Sequence, residues 1–147
     1  MEACNEIIAN LWLGSRLAPV NQDFIHDKNI KLIINCTKDI DYYVDSNVQT
    51  VRLAINDSNT EESNRILGES IDNLTFLIDV YLQNNMGVLV HCYAGVQRSA
   101  TVVLCYLIKY KHLQLQMAKT IMKDKRSIVF FPYPTFDNFI NNYSLTN

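Results

Sequence analysis

The stretch from Gly87 to Lys111 constrains the fold more than any other part of the chain. A short apolar run, Val88-Leu89-Val90, passes through the small and polar residues His91 to Ser99 into Ala100 to Lys111, which is apolar nearly all round. Neither end of this stretch has a polar face to give to water. A run of that kind suits a strand in the interior of a sheet, and a helix apolar on every side suits burial against it. The polar residues between them then form a loop at the carboxyl end of a buried strand, feeding a helix N-terminus.

The rest of the chain supplies the remaining layers. Ile7 to Leu13 alternates loosely and stops at Gly14, as an opening strand or hairpin does, and Asn21 to Lys28 reads as a short helix ended by Asn29. Lys31 to Cys36 and Thr50 to Ile55 are apolar runs rich in branched residues and read as further strands. Between Thr50–Ile55 and Val88, Leu67, Ile71, Leu74, Ile78 and Leu82 recur at helical spacing, with Ser63 as the candidate cap and Asn84-Asn85 as the stop. Strand, long helix, strand implies a parallel crossover. Further helices are expected over Leu115 to Lys123 and Pro134 to Tyr143, and polar loops over Tyr42 to Asn47 and Asn56 to Asn64. The fold expected is α/β: a single domain over residues 1–147, with a central, mostly parallel twisted sheet flanked by helices.

Composition narrows the function. Apolar residues at 48% and charged residues at 19% indicate a folded chain. A net charge of -2 with dispersed lysines and arginines argues against a nucleic-acid partner bound through a broad basic face. Any anion site must therefore be local. The longest apolar stretch, Val102 to Ile108, is too short to span a bilayer, so a soluble cytoplasmic protein with no membrane partner is expected. Cys4, Cys36, Cys92 and Cys105 lack paired spacing and have only three histidines to join them, so neither a metal nor another cofactor is expected. Reduced thiols follow, with Cys36 and Cys105 in the core.

The loop itself has the composition of an anion trap. Backbone N–H groups curling over a helix N-terminus converge on one point and the helix dipole adds positive potential, which suits a phosphate. Gly95 allows the turn. A thiolate at Cys92 is favoured by the same field, Arg98 offers a planar fork for two phosphate oxygens, and Ser99 can donate a hydrogen bond to the sulfur. Tyr93, Ala94, Gly95, Val96 and Gln97 are expected to line the pocket beside Arg98, while His91 steadies the loop by bonding its carbonyls. A leaving oxygen needs a proton donor. Asp57, in the loop after the strand Thr50–Ile55 and hence at the same edge of the sheet, is the candidate acid, with Glu61 and Glu62 behind it.

His91 to Thr101, HCYAGVQRSAT, resembles the H-C-x-x-G-x-x-R-S signature of the cysteine-dependent phosphatases, and in particular the dual-specificity protein phosphatases. The likeness extends along the chain. Ile8 to Ser15 resembles that family's opening strand pair, Leu32 to Thr37 its next strand, Ala54 to Asp57 its acid loop and Lys125 to Phe136 its closing segment. It implies Cys92 as nucleophile, Arg98 as phosphate clamp, Asp57 as general acid and then base, a phosphocysteine intermediate without metal, and a bell-shaped pH profile on the mildly acidic side of neutral. The substrate implied is a phosphorylated protein, and the short chain points to a small atypical member with a shallow pocket that accepts phosphotyrosine and phosphoserine or phosphothreonine. Arg126, in the closing segment, could contact a second anion, although Pro132-Tyr133 departs from the family's usual Pro-Asn.

Two other readings remain open. Phosphoinositide and RNA 5'-phosphatases share such a fold but usually carry lysines or a histidine where this loop has Tyr93, Ala94, Val96 and Gln97. A phosphopeptide-binding protein without activity is the third, against which the intact Cys92, Arg98 and Asp57 stand. The asparagine and isoleucine content suits an AT-rich genome, such as that of a large DNA virus or a protist, and no oligomeric state is legible.

Overall fold

A computed structural model describes residues 2–41 and 45–147. In chain order the elements are β1 (Cys4–Ile8), β2 (Leu11–Gly14), α1 (Gln22–Asp27), β3 (Ile30–Asn35), β4 (Gln49–Arg52), α2 (Glu61–Gln83), β5 (Gly87–His91), α3 (Arg98–Tyr110), α4 (Leu115–Lys125) and α5 (Asp137–Thr146). The strands form one sheet in the order β1-β2-β5-β3-β4. Only the edge pair β1/β2 is antiparallel; β2/β5, β5/β3 and β3/β4 run parallel.

The run at the centre of the sequence is thus the centre of the sheet, and every residue of β5 is buried. Period two along β3 and β5 divides their side chains between two cores. Leu32, Ile34, Val88 and Val90 face the larger one with α2, α3, α4 and α5, whereas Ile33 and Leu89 join Ile25 of α1 on the opposite face. Residues Ser99 to Ile108 of α3 are all buried, as expected of a helix without a polar side. At about 1.5 to 3 kcal/mol for each fully buried large apolar side chain, this strand and helix contribute a large share of the core's stabilisation.

Asparagines punctuate the elements as the sequence indicates: Asn29 ends α1 with φ 52° and Asn85 follows α2 with φ 58°, a left-handed conformation that asparagine tolerates better than most residues. Three expectations are corrected. The strand expected over Thr50–Ile55 leaves the ladder after Arg52; Leu53 still donates to Asn35 O at 2.8 Å, but Ile55 turns back to bond Leu53 O at 3.0 Å. Leu53 and Ile55 remain buried, which explains why they read as strand. The cap of α2 is Thr60, whose side chain accepts from Ser63 N at 3.1 Å, so Ser63 lies inside the helix. The helix expected over Pro134–Tyr143 starts later, at Asp137. Of the loop expected over Tyr42–Asn47, residues 42–44 lie outside the described residues.

Candidate active site

β5 delivers the chain to the carboxyl edge of the sheet, where residues 92–97 curl over the first turn of α3. Among the described residues, the backbone N–H groups from Tyr93 to Arg98 donate to no protein acceptor. They form a row of donors at a helix N-terminus, an arrangement suited to an anion. Cys92 sits in the floor, 3% exposed, its Sγ 3.1 Å from the fully buried Ser99 Oγ. Thiol and hydroxyl expected to cooperate are in hydrogen-bond contact.

What shapes the loop lies behind it. Gly95 has φ 71°, and a Cβ there would come within 2.6 Å of the Gly14 carbonyl carbon and oxygen. Two of the chain's four glycines therefore meet, β2 against the loop. Gly14 O also accepts from Cys92 N at 3.3 Å. Arg126 is 2% exposed, and its guanidinium donates to Gly95 O at 2.9 Å, Ala94 O at 3.0 Å, Glu2 O at 2.9 Å and Asn5 Oδ1 at 2.8 Å. The second anion contact expected of Arg126 is corrected accordingly: its donors hold loop carbonyls from within and do not reach the surface.

The Gln97 side chain also turns inward, while its backbone N–H stays in the row of loop donors. Its side chain is buried, donating Nε2 to Phe131 O at 3.2 Å and Tyr133 O at 3.0 Å and accepting from Thr135 N at 2.9 Å. It clamps the closing segment to the loop, with Phe130 N to Val96 O at 2.9 Å as a second tie. Tyr93 and Ala94 are exposed at the rim, Val96 is half-buried and Gly95 is buried. His91 Nδ1 lies 3.3 Å from Cys92 O. Burial lowers its pKa to about 4, with the Arg52 charge adding to the shift and the Cys92 carbonyl opposing it, so the ring is neutral near pH 7.

Arg98 joins the loop to the acid side. Its Nη1 donates to Ile55 O at 3.0 Å, while its buried Nε has no partner among the described residues. Asp57 follows two residues later, exposed, with no hydrogen-bond or ion-pair partner among those residues. Glu61 and Glu62 are not loop residues as expected; both lie in the first turn of α2, where carboxylates complement the helix dipole, and Glu62 faces Lys38 at 3.8 Å. Burial pushes the Cys36 thiol well above its ordinary range, and the neighbouring Cys92 sulfur pushes it the same way. All four cysteines are free.

One contact at the rim has no counterpart in the sequence reading: the Arg16 guanidinium lies 3.8 Å from the Tyr93 ring centroid. Seventy-seven residues separate the pair, and nothing local in either segment announces it.

Residues 11–144 match the dual specificity phosphatase catalytic domain. Human dual specificity protein phosphatase 9 is 35% identical over 124 residues, covering 83% of this chain and 31% of that protein. The protein 123R of Invertebrate iridescent virus 6, a tyrosine phosphatase by name, is 36% identical over 126 residues, 85% of this chain and 81% of its own. The chain thus spans about a third of the length of the human relative. Among solved structures, human DUSP28 superimposes with a TM-score of 0.86 at 20% identity, over 99% of this chain and 95% of that one. The sheet order, the cradle over α3 and the match over residues 11–144 together make this chain a member of the dual specificity phosphatase family.

Proposed function

We propose that the domain, running over residues 1–147, hydrolyses phosphotyrosine and phosphoserine or phosphothreonine in proteins through a phosphocysteine intermediate. The observation that carries this reading is the Cys92 sulfur, 3.1 Å from Ser99 Oγ, at the start of a loop whose backbone N–H groups have no protein acceptor among the described residues. The Cys92 thiolate attacks phosphorus, the S–P bond forms and the P–O ester bond breaks. The Asp57 carboxyl gives its proton to the departing oxygen. Arg98 and the loop amides hold the equatorial oxygens as charge builds on them, in geometry set before substrate arrives. Water then attacks the phosphocysteine while the Asp57 carboxylate takes its proton; phosphate leaves, and the sulfur departs as a thiolate hydrogen-bonded by Ser99.

The uncharged side chains of Tyr93, Ala94 and Val96 favour a singly phosphorylated protein side chain over a polyphosphorylated head group. A reduced Cys92 fits a cytoplasmic setting. Among the described residues no helix is long and apolar enough to cross a membrane, and no group of three or more His, Cys, Asp or Glu could hold a metal.

The test is hydrolysis of an aryl phosphate and of phosphopeptides by the protein and by Cys92→Ser. The variant should lose at least about 10⁴-fold in turnover, as removal of a nucleophile does, while still binding phosphopeptide. Turnover surviving in Cys92→Ser would refute the mechanism.

A further inference from the structure

Arg126 is spent inside the domain, yet the outer rim of the phosphate loop carries another arginine. Arg16 lies in the turn after β2, and its guanidinium stacks on Tyr93, the residue next to Cys92, at 3.8 Å from the ring centroid. The turn is tied down. Arg16 N and Nη1 both donate to Tyr93 O, at 3.0 and 3.2 Å, Ser15 N donates to Ala3 O at 2.8 Å, and Leu17 N donates to Ser15 Oγ at 3.2 Å. Tyr93 is 51% exposed, so the stack stands at the surface.

No carboxylate answers this charge among the described residues. Other cations of this edge are committed: Lys38 to Glu62 at 3.8 Å, and Arg52 to the carbonyls of Thr37 at 2.8 Å and Ile40 at 2.7 Å. Stacking occupies a face of the Arg16 guanidinium and leaves its edge, where Nε and Nη2 have no partner among the described residues. That edge is the side from which carboxylates and phosphates bind an arginine bidentately. A fork already fixed by its turn loses little freedom on binding.

We propose that Arg16, held on the Tyr93 ring, is a second anion clamp that selects phosphoprotein segments carrying a negative group next to the phosphorylated residue. This rests on the cradle being a phosphoresidue site. The anion is a carboxylate or a second phosphate, both of which fit the same fork.

Three phosphopeptides differing only beside the phosphoresidue, with neutral, glutamate or second-phosphoresidue flanks on either side, distinguish the sources. Their affinities are measured on Cys92→Ser, where binding is read without turnover. The two anionic peptides should bind about fivefold to twentyfold tighter than the neutral one, as one charge-assisted bidentate contact provides. Arg16→Gln should bring both ratios close to one, Arg16→Lys should restore part of them, and Tyr93→Leu, which removes the stacking face, should lower them. A role confined to supporting the loop would weaken all three peptides equally and leave the ratios intact; that result overturns the proposal, as does equal binding of the three by the parent. Binding of none overturns it too. Absence of hydrolysis by the protein with Cys92 intact would instead refute the phosphatase reading, and the ratios would still judge Arg16.

Discussion

The proposed phosphate loop, residues 92–97, and the proposed acid loop, residues 56–60, meet at Arg98 and are built in opposite ways. Residues 92–97 are held from behind by distant parts of the chain: Gly14, Arg126 and, through Gln97, the closing segment. Residues 56–60 bond almost only to themselves and to the start of α2, through Thr60 N to Ser58 O at 2.9 Å and Asn64 Nδ2 to Asn59 Oδ1 at 2.7 Å. The difference matches two kinds of chemistry. Stabilising charge in a transition state needs dipoles that do not reorganise, whereas an acid that gives and regains a proton each cycle must reach solvent. A buried, over-determined cradle and an exposed carboxylate are what those requirements would select.

After loss of the Cys92 sulfur itself, the largest effect should come from Arg98, which belongs to both sides. Its buried Nε has no partner among the described residues, and its Nη1 latches Ile55 O at the root of the segment that carries Asp57. Arginine clamps on transferring phosphoryl groups are worth about 10³ to 10⁵ in turnover, so Arg98→Ala should cost at least about 10³ in kcat. Arg98→Lys retains the charge but neither the fork nor the latch, and it should remain well below the parent. Steady-state rates on an aryl phosphate decide: a lysine variant within about threefold of the parent would show that charge alone suffices and that fork geometry is not the device.

The held side should also carry a pH cost in stability. His91 titrates near 6.5 when unfolded and about 4 when folded, because burial disfavours its charged form. The unfolded chain therefore binds the extra proton first, and stability is lost as pH falls from about 6.5 towards 4. At 1.36 kcal/mol per pKa unit the loss amounts to roughly 2 to 3 kcal/mol. Urea unfolding at pH 7 and at pH 4.5 measures it, and His91→Asn, whatever it does to stability at pH 7, should flatten that part of the slope. A slope unchanged by the substitution would mean that the loop's foundation does not depend on a neutral histidine.

How the two sides are built also explains what the sequence disclosed. The cradle was legible because strand end, glycine turn, thiol, guanidinium and hydroxyl are contiguous from His91 to Ser99, so local rules of strand, cap and dipole apply directly. Its supports were not. Arg126 reaches Gly95 across 31 residues and Asn5 across 121, and Gln97 reaches Tyr133 across 36; a charged or amide side chain carries no local mark of facing inward. The sheet followed from apolar runs, yet Leu53 and Ile55 show that a buried irregular segment has the same signature as a strand. Thr60 and Ser63 are both competent caps, and only the hydrogen bond from Ser63 N to Thr60 Oγ1 distinguishes them. Asp57 was placed by its position after a strand, which is weaker ground than the cradle has.

The smallest effect tests that placement. If Asp57 is the acid, its contribution depends on how badly the departing oxygen needs a proton. Asp57→Asn should lower kcat by about 10² on phosphoserine-like alkyl phosphates and by less than about tenfold on an activated aryl phosphate, whose oxygen leaves readily without help. The nearest competitor is Glu62, anchored in the first turn of α2 opposite Lys38, and Glu62→Gln should stay within about threefold of the parent on both substrates, as loss of an exposed ion pair permits. Equal losses on alkyl and aryl substrates in Asp57→Asn would assign the residue to holding the loop and not to proton transfer. A substrate-dependent loss in Glu62→Gln would move the acid from the exposed loop to a dipole-anchored carboxylate in the first turn of α2. The contrast between a fixed cradle and an untethered acid would then fail, since both halves of the chemistry would stand on helix N-termini.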